Sequence, residues 1–193
     1  QPTKENDYEI FLGATDPTAW KNIEKGWAGG TWDGSRVPNT DWCDMVTQTG
    51  VTHEHTLSAS GGTDKMKGYA SIGYLDNEGT VKGQSYTRYT TKLSLDLKPT
   101  KWFNLGLNVN GTFSEQQYGS SASSVGQLIK GMPSNLYAAS TSLFPYASPY
   151  DEDGNRIEYP GGDDKVKNVM NEWNNSQNER RMFRAIGSLY AQL

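Results

Sequence analysis

Arg88-Tyr89-Thr90-Thr91-Lys92-Leu93-Ser94-Leu95-Asp96-Leu97 is followed, after Lys98-Pro99-Thr100-Lys101-Trp102, by Phe103-Asn104-Leu105-Gly106-Leu107-Asn108-Val109-Asn110-Gly111-Thr112-Phe113. Successive side chains on a strand point to opposite faces, so a period of two sorts them into two sets. In the first run Tyr89, Thr91, Leu93, Leu95 and Leu97 share one face, and Arg88, Thr90, Lys92, Ser94 and Asp96 share the other. In the second, Phe103, Leu105, Leu107, Val109 and Phe113 oppose Asn104, Asn108, Asn110 and Thr112. Each run is about the ten residues that a tilted strand needs to cross a bilayer. Lys98 to Lys101 reads as a tight turn, with Pro99 where the chain leaves the ladder.

Weaker alternations flank this pair. His53 to Ser60 runs into Gly61-Gly62-Thr63-Asp64-Lys65, a turn whose glycines tolerate positive φ, and Gly68 to Leu75 returns. Arg181 to Leu193 places Phe183, Ala185, Leu189, Ala191 and Leu193 on one face. About five strands result. The links at 61–67 and 98–101 are short, the link at 76–85 is longer, and the link at 114–180 is very long. An up-and-down membrane barrel alternates short turns on one side with long loops on the other, and the order here has that parity. The expected fold is all-β: antiparallel up-and-down strands forming part of a large transmembrane β-barrel, with short helices in its loops and 114–180 as a long extracellular loop. Helical stretches are expected after Asp16-Pro17, over Thr40–Thr47, and over Ser124–Lys130.

Composition agrees with a wet-lumened barrel. Only 34% of the 193 residues are hydrophobic, too few for an ordinary core, while eleven Tyr and six Trp supply amphipathic surface. No run of eighteen apolar residues suits a membrane helix, which leaves strands free to cross. A net charge of −4 without a Lys/Arg cluster argues against nucleic-acid binding. The polar opening Gln1-Pro2-Thr3-Lys4, and an alternation that runs to Leu193, lead to the expectation that the chain is a segment of a longer protein.

From residue 39 onward the sequence resembles the SusC/RagA-type TonB-dependent transporters of Bacteroidetes outer membranes. The resemblance rests on Asn39-Thr40-Asp41-Trp42, Thr49-Gly50-Val51-Thr52, Leu57-Ser58-Ala59-Ser60-Gly61-Gly62, the run Tyr69 to Gly83, then Tyr86, Arg88 and Tyr89. It returns more loosely at Pro149-Tyr150-Asp151-Glu152-Asp153-Gly154-Asn155 and Gly187-Ser188-Leu189-Tyr190-Ala191. It implies a many-stranded plugged barrel in the outer membrane that imports oligosaccharides or peptides, is capped by a SusD-like surface lipoprotein and is energised by the TonB complex. The TonB-contacting box, the plug and most strands of that family are expected to lie outside this stretch.

Candidate sites follow from the two faces and the loops. Arg88, Lys92, Ser94, Asp96, Asn104, Asn108 and Asn110 are polar on what would be the lumen side, and the opposite set would meet lipid. Trp20, Trp27, Trp32 and Tyr146 lie in aromatic-rich loops, where flat rings stack on sugars, pack a loop or dock the lipoprotein. No cofactor or metal is expected. His53 and His55 share a face but lack a third ligand, Cys43 stands alone, and Asp151-Glu152-Asp153-Gly154-Asn155 misplaces the glycine of a calcium loop and reads as a turn. The pairs Asp41/Asp44 and Asp163/Asp164 lack a cleft that would make them a hydrolase dyad, and no nucleophile elbow or phosphate loop occurs. The chain is not expected to be an enzyme. The competing reading is a soluble β-rich carbohydrate-binding module, which would bury the Leu93, Leu95, Leu97 face against a second sheet.

Overall fold

The computed structural model describes residues 17–119, 136–160, 166–170 and 178–193. It separates into two compact units. The first comprises Gln1–Gln48, Val81–Gly83 and Gly119–Asn178, and the second Thr49–Thr80, Gln84–Tyr118 and Glu179–Leu193.

The second unit is one antiparallel sheet of β1 (Thr52–Thr63), β2 (Met66–Glu78), β3 (Gln84–Thr100), β4 (Phe103–Tyr118) and β5 (Glu179–Gln192), hydrogen-bonded in that order. The strands run 12, 13, 17, 16 and 14 residues, each more than the ten or so that a bilayer crossing takes. They reach beyond the sequence alternation because their outer portions, such as Ser114-Glu115-Gln116-Gln117-Tyr118, are polar on both faces and still complete the ladder. Register couples the two decisive runs: Leu93 faces Val109, Leu95 faces Leu107, and Tyr89 faces Phe113 on one side, while Ser94 faces Asn108 and Lys92 faces Asn110 on the other. All described strands belong to this sheet, and its apolar side is bare, with Leu57 at 69% and Leu189 at 71% exposure. A sandwich would bury those residues under a second sheet, so the soluble-module reading fails on this point.

Two turns differ from the sequence reading. Gly61 and Gly62 are not in the first turn but in β1, paired with Gly68 and Lys67, and the turn is Asp64-Lys65. Among the described residues no non-glycine takes positive φ, so the turn does not need them; Thr63 Oγ1 accepts from the Lys65 N–H at 3.3 Å instead. Gly62 is required for proximity, because a Cβ there would stand 2.7 Å from the Met66 carbonyl oxygen. Pro99 likewise lies within β3, where the register shifts between Leu97 and Thr100, and the turn moves to Lys101-Trp102. A bulge accepts a residue with no N–H to give. The tight turns 64–65 and 101–102 leave one end of the sheet, and the connections 79–83 and 119–178 leave the other.

Among its described residues the first unit holds three short helices, α1 (Pro17–Glu24), α2 (Trp42–Val46) and α3 (Leu136–Ser142), with single 3-10 turns at Lys25–Trp27 and Gly34–Arg36. Asp41 caps α2 by accepting from the Asp44 N–H at 2.9 Å, which accounts for that acidic pair without chemistry. Trp42 and Val46 pack with Leu136, Ala139, Leu143, Ala147, Val166 and Val169. Residues 17–48 therefore fold onto the long connection as a small apolar core. Three further bonds tie them: Trp42 Nε1 donates to the Phe144 carbonyl, Thr40 Oγ1 to the Ala147 carbonyl, and Asn22 Nδ2 to the Tyr146 carbonyl, at 2.9, 2.8 and 3.1 Å. The helix expected over Ser124–Lys130, the cap expected at Asp16, and the Asp163/Asp164 pair lie outside the described residues.

Candidate functional site

The sheet presents two chemically opposed faces, each ordered along the strands. On the polar face Arg88, Lys92, Ser94 and Asp96 of β3 lie with Asn104, Asn108 and Asn110 of β4. Arg88 Nη2 reaches Glu54 Oε1 of β1 at 3.7 Å, passing the row of Leu75 between them. Arg88 is partly buried and Glu54 exposed, with 38% and 61% of their side-chain surface accessible, and across 3.7 Å this pair adds little stability. Lys92 Nζ stands 5.7 Å above the Tyr69 ring, a cation–π contact. Ser94 Oγ donates to Asn108 Oδ1 at 2.6 Å. Tyr190 of β5 donates to Asp96 Oδ1 at 2.5 Å, crossing β4 to do so, and its ring occupies the place of a side chain on Gly106. Asn104 and Asn110 complete the face opposite Gln192 and Ile186.

The other face is layered. Tyr74, Tyr89, Phe113 and Phe183 stand in one cross-strand row, with centroids 5.2 Å apart for Tyr74 and Tyr89 and 6.3 Å for Tyr89 and Phe113. On the loop side of this row, Thr87 donates to Asp76 at 2.9 Å, and Arg181 ion-pairs with Glu115 and Glu179. On the turn side come Leu57, Ile72, Leu93 and Val109, then Leu95, Leu107 and Leu189, and finally Phe103 beside Trp102. Charged, aromatic, aliphatic and again aromatic layers follow one another. From Phe103 to Phe113 is about ten residue steps, or about 34 Å of strand. At the tilt of about 40° usual in membrane barrels that spans about 26 Å, the height of their lipid-facing band. No single strand discloses the aromatic row; it needed the register. His53 and His55 fall on this same face, paired with Asp76 and Tyr74, and no three potential metal ligands cluster among the described residues.

In the first unit the structure gathers three of the four loop aromatics expected at a site. Trp27 and Trp32 lie 5.4 Å apart at 59°, and Trp32 packs against Ile23, Val37 and Tyr146. Gly26 permits this, since a Cβ there would fall 2.5 Å from the Trp32 ring. Tyr146 is 1% exposed and is corrected from contact residue to foundation, because its ring fills a core rather than facing solvent. Phe144, another aromatic of the long loop, stacks flat on Tyr146, 5.1 Å away and 8° from parallel, and remains 45% exposed. The Trp20 side chain lies outside the described residues. Beside Trp32, Asp33 accepts from the Ser35 hydroxyl at 2.6 Å and the Ser35 N–H at 3.0 Å, which with nearby Arg36 holds its carboxyl below the usual carboxylate range. The 151–155 segment is a closed turn: Asp151 Oδ1 accepts from the Asp153 and Asn155 N–H groups, so its oxygens point at its own backbone.

No protein-family model matches the chain. Among curated proteins it is 40% identical over 73 residues to TonB-dependent receptor P39 of Formosa agariphila, covering 38% of this chain and 7% of that receptor. TonB-dependent receptor P26 of the same organism is 27% identical over 165 residues, 82% of this chain and 15% of the receptor. TonB-dependent receptor SusC of Bacteroides thetaiotaomicron is 27% identical over 115 residues, 58% of this chain and 11% of SusC. The chain thus spans between 7% and 15% of the length of these relatives, which are receptors rather than enzymes. In fold it is similar to the RagAB peptide importer in its open-open state, with a TM-score of 0.50, 21% identity, and coverage of 79% of this chain and 18% of that one.

Proposed function

Since the chain resembles the barrel region of SusC/RagA-like TonB-dependent receptors in both sequence and sheet, we propose that it forms five adjacent strands of an outer-membrane importer for oligosaccharides or other bulky nutrients. The layering of the apolar face carries this reading. A charged fence, an aromatic row, aliphatic layers and a second aromatic end match the order of water, headgroup and hydrocarbon that a barrel strand meets. On this reading the opposite face, from Arg88 and Lys92 to Asn108 and Asn110, lines the lumen and meets solute and water. The tight turns 64–65 and 101–102 lie on the periplasmic side, and the 79–83 and 119–178 connections lie outside the cell.

On this reading a solute first makes contact, and a SusD-like lipoprotein docks, at the first unit, while TonB engages regions outside this stretch. On this reading Trp27 and Trp32, whose rings lie 5.4 Å apart, serve there as solute contacts. Two experiments on the full-length protein test the proposal. Affinity purification from detergent-solubilised outer membranes should bring down a surface lipoprotein in near-equal amount. Cells with the gene deleted should lose uptake of a fluorescent oligosaccharide that the parent strain accumulates. Recovery of the protein in the soluble fraction, without membrane and without partner, contradicts the reading.

A further inference from the structure

We infer that the apolar side of β1 to β3 carries a binding groove for one outer-leaflet lipid whose head group bears a primary amine. The inference rests on the importer reading, which sets this face against the bilayer. His55, Leu57, Ile72, Tyr74, Tyr89 and Thr91 wall an open groove of about 690 Å³, the size of a small-molecule site. Its origin lies in the register. The row that begins with Leu57 and Ile72 continues as Thr91 and Gly111, so side-chain height drops directly beside the aromatic row of Tyr74, Tyr89 and Phe113. Thr91 is short between Tyr89 and Leu93 of the same strand face, and the groove opens there. Within a bilayer the gain is not transfer out of water. It is the contact that an acyl chain makes with a floor and walls at once, which a flat strand surface does not offer.

Charge selects the head group. Asp76 lies two residues beyond Tyr74 on the same face, about 7 Å along the strand, on the loop side of the groove. It is half-buried, and Thr87 Oγ1 donates to its Oδ1 at 2.9 Å. Among the described residues it enters no ion pair, not even with His53, its cross-strand neighbour. No Lys or Arg lines the groove, and the Glu54 carboxylate is turned to the other face, toward Arg88. Arg181, in the same cross-strand row as Asp76, is three strands away and held by Glu115 and Glu179. An anionic head group would therefore meet a carboxylate with no cation to offset it. An ammonium would meet the Asp76 carboxylate and, beside it, the Tyr74 and Tyr89 rings, whose centroids are 5.2 Å apart.

Native mass spectrometry of the full-length receptor in detergent tests the site, with dioleoyl phosphatidylethanolamine, phosphatidylcholine and phosphatidylglycerol titrated separately. The three share their acyl chains, and the first two share their net charge. The parent should bind the ethanolamine lipid at least about threefold more tightly than either other lipid. Asp76→Asn, close to isosteric, should bring the three within about 1.5-fold of one another. Thr91→Trp, which fills the groove, should weaken the ethanolamine lipid about threefold or more, and Leu189→Trp, on the same face but outside the groove, should leave it unchanged. Equal affinity of the parent for the three lipids, or a preference that survives Asp76→Asn, overturns the amine assignment. Equal effects of Thr91→Trp and Leu189→Trp overturn the groove, and Asp76→Asn is read independently if a tryptophan variant does not fold. A receptor recovered in the outer-membrane fraction but without lipid preference overturns this site alone, whereas a parent missing from that fraction overturns the importer reading.

Discussion

Gly106 is a glycine because Tyr190 lies across it. A Cβ at residue 106 would sit 2.2 Å from the Tyr190 ring, and moving that ring breaks its hydrogen bond to Asp96. Gly106→Ala should destabilise the barrel by about 1–3 kcal/mol, as overpacking usually does, and Tyr190→Phe by less. In a Tyr190→Ala background the Gly106→Ala change should be nearly silent, and urea unfolding of the full-length protein in detergent measures the cycle. Asp33 gives a pH prediction. Its folded carboxyl is depressed relative to the unfolded chain, so its contribution is complete above the unfolded value and is lost as pH falls through the folded one. Tryptophan emission from the neighbouring Trp27–Trp32 pair should change as acidification passes below the ordinary carboxylate range, and Asp33→Asn should remove that component. Residue roles were the least legible part of the sequence. Phe144 and Tyr146 are two apart and similar in kind, yet one is presented and the other buried, and only long-range packing against Ile23 and Val37 decides between them.

At the scale of elements, the alternation over 88–97 and 103–113 was legible because one face of each strand is uniformly aliphatic. The strand ends were not, since Ser114 to Tyr118 and Met66-Lys67 carry no alternation and are recruited by pairing with neighbours already in place. The turns shifted for the same reason: the ladder continues through Gly62 and up to Thr100 because the backbone bonds of the next strand are there to be made. Parity yields the sharpest element-level prediction. Leu107 and Asn108 are adjacent but face opposite ways. Leu107→Arg, near the middle of the aliphatic layers, should cost about 2–4 kcal/mol of folding free energy in bilayers, while Asn108→Arg should cost well under half of that. Folding titrations of the full-length protein into lipid vesicles read both, and equal costs contradict the two-faced sheet.

For the whole molecule, the resemblance around residues 39–89 anticipated the kind of relative found, and loop-length parity anticipated which strand ends share a side. What neither conveyed was that residues 17–48 and the connection after β4 share a core, because Trp42 and Leu143 are about a hundred residues apart in sequence and no local pattern links them. On the importer reading the Leu93, Leu95, Leu97 face meets lipid. Placing a spin label in turn at each position from 91 to 97 of the full-length protein, with Cys43 and every other native cysteine replaced by serine, and measuring oxygen accessibility in bilayers tests this face. A period of two is expected, with high values at 91, 93, 95 and 97 and low values at 92, 94 and 96. A profile without alternation, or one with its maxima at 92, 94 and 96, contradicts it.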